Sequence, residues 1–252
     1  MNLAYRSILL LAGLVILLAI SLYCNYFLVK RYRHAYRELS RVTLDPLGLE
    51  QAQAETEAAR GLKEGPLVLF YGDSRAAAWP APDAAAPFVF VNLGVNGQTA
   101  AQAALRYQAD AALLHPDVVV LQVGINDLRV IPAVGQGAQA VITATEANIQ
   151  EIVAQATAGG ATVVLTTIFP VQNPPWQDRM FWSKEVMTAV TAVNQFIPSL
   201  AGENVLVLDA SILLADDKGE LQNKYAADYL HLNAAGYLQL NDSLLTFLAQ
   251  LS

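Results

Sequence analysis

The chain has 252 residues, of which 54% are hydrophobic, and its formal net charge at pH 7 is −7. This length is sufficient for one domain with a substantial core and one further segment. The single cysteine, Cys24, excludes an internal disulfide framework, and it leaves the rest of the chain without a thiolate nucleophile or a cysteine zinc site.

The first predicted element is a transmembrane helix. Residues Ser7 to Val29 carry no charge, and this stretch exceeds the roughly 20 residues needed to cross a hydrocarbon layer of about 30 Å. A cleaved signal peptide is the competing interpretation, but the apolar region is too long and no small-x-small cleavage site follows it. Cys24 is a poor lipoprotein cysteine because Tyr23 precedes it. We therefore predict an uncleaved anchor.

A basic, tyrosine-bearing segment, Lys30 to Arg41, follows the predicted anchor. Up to Arg41 the chain has six Lys or Arg and one acid, a net charge of +5, whereas the remainder has nine Lys or Arg and 21 acids, a net charge of −12. Such a flank suits anionic lipid headgroups, with its tyrosines at the interface. The acidic remainder would repel a phosphate backbone, so no nucleic-acid partner is expected.

A linker is predicted between the basic segment and the rest of the chain. Asp45-Pro46-Leu47-Gly48 breaks the anchor helix, and Leu49 to Leu62 is rich in Ala, Glu and Gln, which favours a second helix. The predicted division is an anchor with its basic flank at 1–41, a helical linker at 42–64 and a folded domain at 65–252.

From Gly65 onward, apolar strands alternate with amphipathic helical segments. The predicted strands are Leu67 to Tyr71, Phe88 to Leu93, Val118 to Val123, Thr162 to Ile168 and Val205 to Leu208. The predicted helices are Thr99 to Leu114, Ala138 to Ala158, Ser183 to Leu200 and Ala234 to Leu251. This alternation predicts an α/β fold, with a parallel sheet covered by helices on both faces.

Polar blocks follow the first three predicted strands. They are Gly72 to Ser74, Asn92 to Gly97 and Gly124 to Asp127, and a fourth block, Asp228 to Gly236, lies near the C-terminus. Because ligands bind beyond the carboxyl ends of parallel strands, the blocks are expected to meet at one edge of the sheet. The first block taken alone favours an ordinary turn.

The histidines indicate which residue can activate a serine. A serine hydroxyl is a weak nucleophile that needs a base within hydrogen-bond reach, and the base needs an orienting group. His34 lies in the basic flank and His115 precedes Pro116 at a helix-to-strand junction, so His231 is the histidine placed to reach the edge. Asp228 can bind its other ring nitrogen. The alternatives are a turn role for Asp228 and a surface position for His231.

With all four blocks in order, residues 65–252 resemble the SGNH hydrolases, also called the GDSL esterase and lipase family, named for Ser, Gly, Asn and His in such blocks. The resemblance implies a flavodoxin-like three-layer αβα sandwich of about five parallel strands. It also implies that Ser74 is the nucleophile, His231 the base and Asp228 the orienting acid. Arg75 departs from the family pattern, since many members have leucine or another apolar residue there, and the acyl-binding surface beside the serine is therefore left open.

The resemblance further implies an oxyanion hole. Its donors would be the backbone amides of Ser74 and Gly97 and the side-chain amide of Asn126, and a glycine at position 97 avoids crowding the substrate. Three neighbouring polar residues are expected to brace the loops: Asp73, Asn92 and Asp127. The chain has no Gly-x-Ser-x-Gly elbow, which argues against the α/β-hydrolase fold.

The segment Phe169 to Trp182 lies beyond the fourth predicted strand, and three prolines keep it from being a helix or a central strand. It carries three large apolar side chains: Trp176, Phe181 and Trp182. They are expected either to pack on the core or to form a wall of the acyl-binding cleft.

These observations predict a membrane-anchored serine hydrolase that cleaves an ester or thioester through an acyl-serine intermediate, with no cofactor and no metal. The substrate would be a small-molecule, lipid or glycan ester. The alternatives are O-acyl transfer or deacetylation on envelope glycans by the same triad, and a non-catalytic membrane-anchored scaffold. The basic flank favours a cytoplasmic catalytic domain, whereas anchored members of the family usually face outward, so the side of the membrane stays open.

Overall fold

The computed structural model describes residues 3–59, 65–83, 87–135, 137–176, 178–179 and 182–251. The chain forms two compact units, Met1–Pro46 and Leu47–Ser252.

The first unit consists largely of one continuous helix, α1, at Leu3–Leu44. The helix ends just before Asp45-Pro46, as predicted, because a residue that precedes proline is disfavoured in the helical conformation. Among the described residues, α1 is the one helix long and apolar enough to cross a membrane by length and composition. Its most apolar window has a mean hydropathy of 2.6 and is not buried. An N-terminal signal sequence would meet the same criteria.

A second helix, α2 at Leu49–Ala59, belongs to the second unit. Ala52 and Thr56 lie one turn apart on one face of α2, and both are buried. The residues just before α2 also contact the rest of the second unit, because the Gln98 side chain donates a hydrogen bond of 2.8 Å to the Leu47 carbonyl. The helix predicted within the linker therefore packs on the folded unit.

Five parallel strands form one sheet in the order β2-β1-β3-β4-β5. Their bounds are β1 Leu67–Gly72, β2 Val89–Gly94, β3 Val118–Gln122, β4 Thr162–Thr166 and β5 Val205–Leu208. The apolar, β-branched runs that predicted these strands are buried because helices cover both faces of the sheet. Each predicted strand is confirmed to within two residues at either end.

Helices connect the strands. Their bounds are α3 Ser74–Ala77, α4 Ala100–Arg106, α5 Ile125–Leu128, α6 Ala138–Ala158, α7 Lys184–Phe196, α8 Ala210–Leu214 and α9 Ala234–Leu251. Short 3₁₀ helices lie at Ala111–Leu114, Ile131–Ala133, Ile197–Leu200 and Asn223–Tyr225. The predicted helices at 138–158 and 234–251 are confirmed at both ends.

Alternate residues of the strands supply two separate hydrophobic clusters. Leu69 and Tyr71 of β1 pack in the cluster that contains buried residues of α4, α6 and α7. Val68 and Phe70 point the other way, into the cluster formed with α8 and α9. The sheet therefore lies between two helical layers, which confirms the three-layer sandwich that the family resemblance implied.

The prediction of one helix from Thr99 to Leu114 was wrong. The helix breaks after Arg106, which is fully buried and needs partners for its guanidinium. Arg106 forms an ion pair with Asp110 and donates a hydrogen bond of 2.6 Å to the Leu93 carbonyl. Asp110 caps the following 3₁₀ turn instead of continuing the helix. The chain turns at residues 107–110 although the alanine-rich sequence favours a longer helix.

A close approach of β1 to β3 positions the loops beyond the sheet. Gly72 is paired in register with Gly94 of β2 and with Gln122 of β3. It has a φ of 138°, and a Cβ placed on it would lie 1.7 Å from the Gln122 carbonyl oxygen. This position therefore requires glycine on grounds of both conformation and space.

Gly72→Ala should lower the free energy of unfolding by at least about 3 kcal/mol, because the methyl group forces β1 away from β3 and strains the backbone. Gly202→Ala is the matched control, since no atom lies within 4 Å of a Cβ at that position, and it should change stability by less than about 0.5 kcal/mol. Urea unfolding of the full chain in detergent, followed by tryptophan fluorescence, measures both. Similar stabilities for the two variants would contradict the steric argument.

Candidate active site

The serine block forms a tight turn between β1 and α3. Asp73 is the N-cap of α3, and its carboxylate accepts a hydrogen bond of 2.8 Å from the Arg75 amide. The Asp73 amide in turn donates to the Gln122 carbonyl at 3.1 Å. Ser74 is the first residue of α3 and is half-buried. The turn therefore presents the serine hydroxyl at the carboxyl edge of the sheet.

The histidine block reaches this serine from the far end of the chain. The Ser74 Oγ lies 3.1 Å from the His231 Nε2, and the His231 Nδ1 lies 2.9 Å from the Asp228 Oδ2. The other carboxylate oxygen of Asp228 accepts hydrogen bonds of 2.7 Å from the amides of Leu230 and His231. The structure therefore brings the predicted Ser, His and Asp into one continuous chain of contacts.

Opposing effects act on the Asp228 carboxyl. Partial burial by itself would raise its pKa, but the hydrogen bonds from the His231 ring and from the Leu230 and His231 amides lower the pKa below its ordinary value. Asp228 is therefore ionised at neutral pH. An ionised carboxylate at this position can accept a hydrogen bond from the imidazole and stabilise a positive charge on it.

The second block surrounds the end of β2. Asn92 binds the carbonyls at the end of the serine helix, with Nδ2 distances of 2.8 Å to Ala76 and 3.1 Å to Trp79. Its side-chain oxygen accepts a hydrogen bond from the Gly94 amide at 2.9 Å. Gly97 has a φ of 76° in the loop that follows. Asn92 thus fastens α3 to β2, and Gly97 lies at the same edge of the sheet as the serine.

The third block is tied to the second. Asn126 lies in α5, directly beyond β3, and its Nδ2 donates a hydrogen bond of 3.0 Å to the Gln98 carbonyl. Asp127 accepts a hydrogen bond of 2.8 Å from the Ala100 amide at the start of α4. Burial raises the pKa of Asp127 to about 6, although the backbone hydrogen bonds oppose this rise. Both residues therefore hold the loop of Gly97 against the end of β3.

Arg75 lies in the interior, where its side chain is fully buried. Its Nε donates to the Leu230 carbonyl and its Nη1 to the Phe169 carbonyl, each at 3.1 Å. The guanidinium also lies over the Phe169 ring, 5.5 Å from its centre. Arg75 thus connects the serine helix to the residue next to His231. This contact was missed in the sequence, because no pattern around an arginine reveals which distant carbonyl it will bind.

Burial shifts the ionisation of the polar groups beneath the serine. Desolvation raises the pKa of Asp73 to about 7, although the nearby Arg75 opposes the rise. Desolvation likewise lowers the pKa of Arg75 to about 10, against the effect of Asp73. Beneath the serine, three described side chains have buried polar atoms without a hydrogen-bond partner: the Asp73 Oδ2, the Arg75 Nη2 and both polar atoms of Gln122. The buried polar groups beneath the serine turn therefore carry a desolvation cost.

The segment after β4 divides its aromatic residues between two environments. Trp182 is buried and packs edge to face against Tyr229, with the ring centres 6.0 Å apart, and the Arg129 guanidinium lies 5.8 Å from the Trp182 ring. Trp176 is 77% exposed. Phe181, the third predicted aromatic of this segment, lies outside the described residues. The two described tryptophans thus differ in environment, one packed on the core and the other in solvent.

Two cavities flank this segment, and both are lined by a mixture of polar and apolar side chains. One has a volume of about 550 Å³ and reaches Asp228 and Tyr229, and the other has a volume of about 330 Å³ and reaches Trp182. Four residues line both: Gln172, Asn173, Pro174 and Arg179. In the described part of the chain, no group of three or more His, Cys, Asp or Glu side chains could hold a metal ion.

Comparison with known proteins identifies the class of this α/β sandwich. Residues 58–238 match the GDSL-like lipase/acylhydrolase family. The match spans most of the chain, and the chain belongs to this family. It is therefore an ester-hydrolysing enzyme of the GDSL/SGNH type, as the sequence predicted. No curated protein sequence matches the chain.

Solved structures share the fold. A GDSL-like lipase from Bacteroides thetaiotaomicron superposes with a TM-score of 0.63 at 18% identity and covers 80% of this chain and 98% of its own. A catalytic mutant of an acetylxylan esterase from Geobacillus stearothermophilus gives a TM-score of 0.52 at 21% identity, covering 74% and 96%. The acetyl xylan esterase AlAXEase gives 0.53 at 19% identity, covering 72% and 98%. At these identities the likeness concerns the fold.

The raised pKa of Asp73 predicts a pH dependence of stability. The folded state holds the Asp73 proton up to about pH 7, whereas the unfolded chain releases it near pH 4. The contribution of the Asp73 carboxyl to the free energy of unfolding is complete below about pH 4 and is lost as the pH rises through about 7. Asp73→Asn keeps the N-cap acceptor and should remove this loss, which amounts to at most about 4 kcal/mol.

Urea unfolding of the full chain at pH 4.5 and pH 8 measures this effect as the difference between the variant and the unchanged protein. A smaller decline should remain in Asp73→Asn, because the pKa of Asp127 is also raised. Asp217→Asn, in an exposed turn, should keep the full decline. An unaltered decline in Asp73→Asn would contradict the assignment.

Proposed function

We propose that the protein is a membrane-anchored serine hydrolase that cleaves carboxylic esters or thioesters through an acyl-serine intermediate. The observation that carries the proposal is the pair of contacts from the Ser74 Oγ to the His231 Nε2 at 3.1 Å and from the His231 Nδ1 to the Asp228 Oδ2 at 2.9 Å. Both distances lie within the reach expected of a nucleophile, a base and an orienting acid.

In the proposed reaction, Ser74 is the nucleophile. With a proton on the His231 Nδ1 directed at Asp228, the Nε2 lone pair accepts the Ser74 proton as the Oγ attacks the acyl carbon. The imidazolium then returns this proton to the leaving alcohol or thiol as its bond to the acyl carbon breaks. Water attacks the acyl-serine in the second half, with His231 again taking a proton and passing it to the Ser74 Oγ.

The charge on the tetrahedral intermediate needs donors that are already in place. We assign this role to the amides of Ser74 and Gly97 and to the side chain of Asn126. The Asn126 amide uses one N–H to bind the Gln98 carbonyl at 3.0 Å, and an amide has a second N–H to offer. The loss of one such donor typically costs on the order of a hundred-fold in rate.

Arg75 is proposed as a positioning residue for the base. It lies in the helix that carries the serine and binds the carbonyl of Leu230, the residue before His231. The Tyr237 hydroxyl in α9 also donates to the Arg75 carbonyl at 2.9 Å. These contacts support an arrangement in which the serine and the histidine loop are held together even though the base lies far along the chain.

The proposed anchor is α1. Its uncharged stretch, Ser7 to Val29, exceeds a bilayer span, and the helix continues into the basic segment, Lys30 to Arg41. The exposed Tyr32 and Tyr36 stack with ring centres 6.2 Å apart in that segment. These features favour an uncleaved helix with a flank at the headgroups of anionic lipids. The hydrolase domain is then the part of the chain from residue 65 onward.

The proposed triad predicts a graded loss of reaction with a fluorophosphonate probe. Ser74→Ala should abolish labelling, and His231→Ala should slow it by at least about a hundred-fold because the base is lost. Asp228→Asn should slow it less, because it disturbs only the orientation and charge of the imidazole. His34→Ala changes a histidine of α1 and should label at the unchanged rate. Equal rates for His231→Ala and His34→Ala would remove the assignment of the base.

A glycan ester is the second candidate substrate class, favoured by the cavity of about 550 Å³ that reaches Asp228. The amide and guanidinium groups in its mixed lining, from Gln172, Asn173 and Arg179, can hydrogen-bond the hydroxyls of a sugar. Two of the structural neighbours are acetyl xylan esterases, which supports testing acetylated sugars first.

If a sugar occupies this cavity, Asn173→Ala should raise the KM for acetylated xylooligosaccharide about five-fold, the effect of one lost hydrogen bond of about 1 kcal/mol. The kcat/KM for p-nitrophenyl acetate should not change, because that ester lacks the sugar. Lys218→Ala, outside the cavity lining, is the control for both substrates. Equal effects of Asn173→Ala on the two esters would exclude the cavity as a sugar site.

A further inference from the structure

The portion of α1 beyond the apolar stretch has two chemically distinct sides. Its large apolar side chains are strongly exposed, at 69% for Tyr32, 60% for Tyr36, 66% for Leu39, 44% for Val42 and 85% for Leu44. Tyr32, Tyr36 and Leu39 recur every three or four residues and form one stripe along the helix, whereas Val42 and Leu44 lie outside it. The charged and histidine side chains fall on the rest of the helix surface: Lys30, Arg31, Arg33, His34, Arg37, Glu38 and Arg41.

The stripe follows a seven-residue repeat that continues into the membrane stretch. Asn25, Tyr32 and Leu39 are seven residues apart, and so are Val29, Tyr36 and Thr43. The Asn25 series occupies the d positions and the Val29 series the a positions of one heptad register. Toward the N-terminus the same register includes Leu22, Leu18, Val15, Leu11 and Ile8. No charged residue occupies an a or d position, although the basic segment is rich in charge.

Polar groups within the membrane stretch lie on the same face. Apart from tyrosines and Cys24, Ser21 and Asn25 are the polar side chains between Ile8 and Val29. Asn25 belongs to the heptad stripe, and its Nδ2 donates a hydrogen bond of 2.8 Å to the Ser21 carbonyl one turn earlier. An amide also has a second N–H and an acceptor oxygen. Amide and hydroxyl groups in hydrocarbon favour contact with another helix, where they can hydrogen-bond.

Lipid headgroups alone do not account for the stripe. Leu39 is ten residues beyond Val29, which is about 15 Å along a helix, whereas the headgroup layer is roughly 5–8 Å thick on each side. Laying this part of α1 on the membrane surface would require a sharp bend. The helix is continuous through this segment, and the sequence from Tyr23 to Leu44 has no proline or glycine to bend it.

We propose that α1 pairs with α1 of a second copy of this chain as a parallel, in-register coiled coil that extends from the membrane stretch to Thr43. Copies inserted in one membrane share an orientation, so their helices run parallel and place identical a and d residues opposite each other. The e and g positions that flank the outer part of this seam carry Arg33 as their single charge. The other basic residues point outward and do not oppose pairing.

This proposal rests on the anchor proposed above, so the test is made on the full chain in native membranes. In a Cys24→Ala background, Leu39→Cys is compared with Arg37→Cys; both positions are exposed in the same segment, but Leu39 lies in the proposed seam and Arg37 points away from it. Copper–phenanthroline oxidation is followed by non-reducing gel electrophoresis. Extraction at alkaline pH, performed on the same membranes, reports separately whether the chain is anchored.

The disulfide-linked dimer should form at least about five-fold faster with Leu39→Cys than with Arg37→Cys, because Cα atoms in the seam approach within disulfide range and those on the outward face do not. Tyr32→Cys should behave like Leu39→Cys, which would establish the heptad period. Equal rates at all positions, no dimer at any position, or a product of another mass would overturn the pairing. Loss of the chain from alkali-washed membranes would instead contradict the proposed anchor. Hydrolase activity tests neither the helix pairing nor the anchor.

Discussion

The candidate site depends on how closely three strand ends approach one another. The Gly72 carbonyl accepts the Val95 amide at 2.9 Å, while a Cβ on Gly72 would lie 1.7 Å from the Gln122 carbonyl oxygen. A Cβ on Gly94 would lie 2.2 Å from the Ala77 amide nitrogen, so α3 packs directly on the end of β2. Because no side chain separates these segments, the serine turn and the two loops beside it form one rigid edge.

The remaining part of the site comes from a position 157 residues away in the sequence, and the structure attaches it through buried polar contacts. Arg75 binds the Leu230 carbonyl, while Asp228 folds back on the amides of its own loop. Burying a guanidinium is costly unless its hydrogen bonds are satisfied. Arg75 meets this condition in part: its Nε and Nη1 bind the Leu230 and Phe169 carbonyls and so join three segments around the serine, while its Nη2 has no partner among the described residues.

The two units draw on different physical effects. In the second unit, the hydrophobic effect drives two layers of helices onto a sheet, and the buried charges of Arg106 and Asp110 are paired within it. The apolar surface of α1 is exposed, as expected of a helix in contact with lipid. One face of α1 differs from the rest because it carries Ser21, Asn25 and the stripe that ends at Leu39. Anchoring would hold copies of the enzyme in one plane, where weak helix contacts become effective.

The five strands, most of the helices and the family could be predicted from the sequence. The short apolar runs from Leu67 and Val118, each followed by a block of polar residues, favour buried strands that end at a functional edge. Ser74, His231 and Asp228 could be named from their residue types and their positions relative to the strands, and their catalytic roles stay predictions. Three features could not be predicted and are known from the folded chain alone: the break in the predicted Thr99–Leu114 helix, the packing of the linker helix on the folded unit and the contact of Arg75 with the Leu230 carbonyl. Each of these depends on contacts between residues far apart in the chain, for which local propensity has no term.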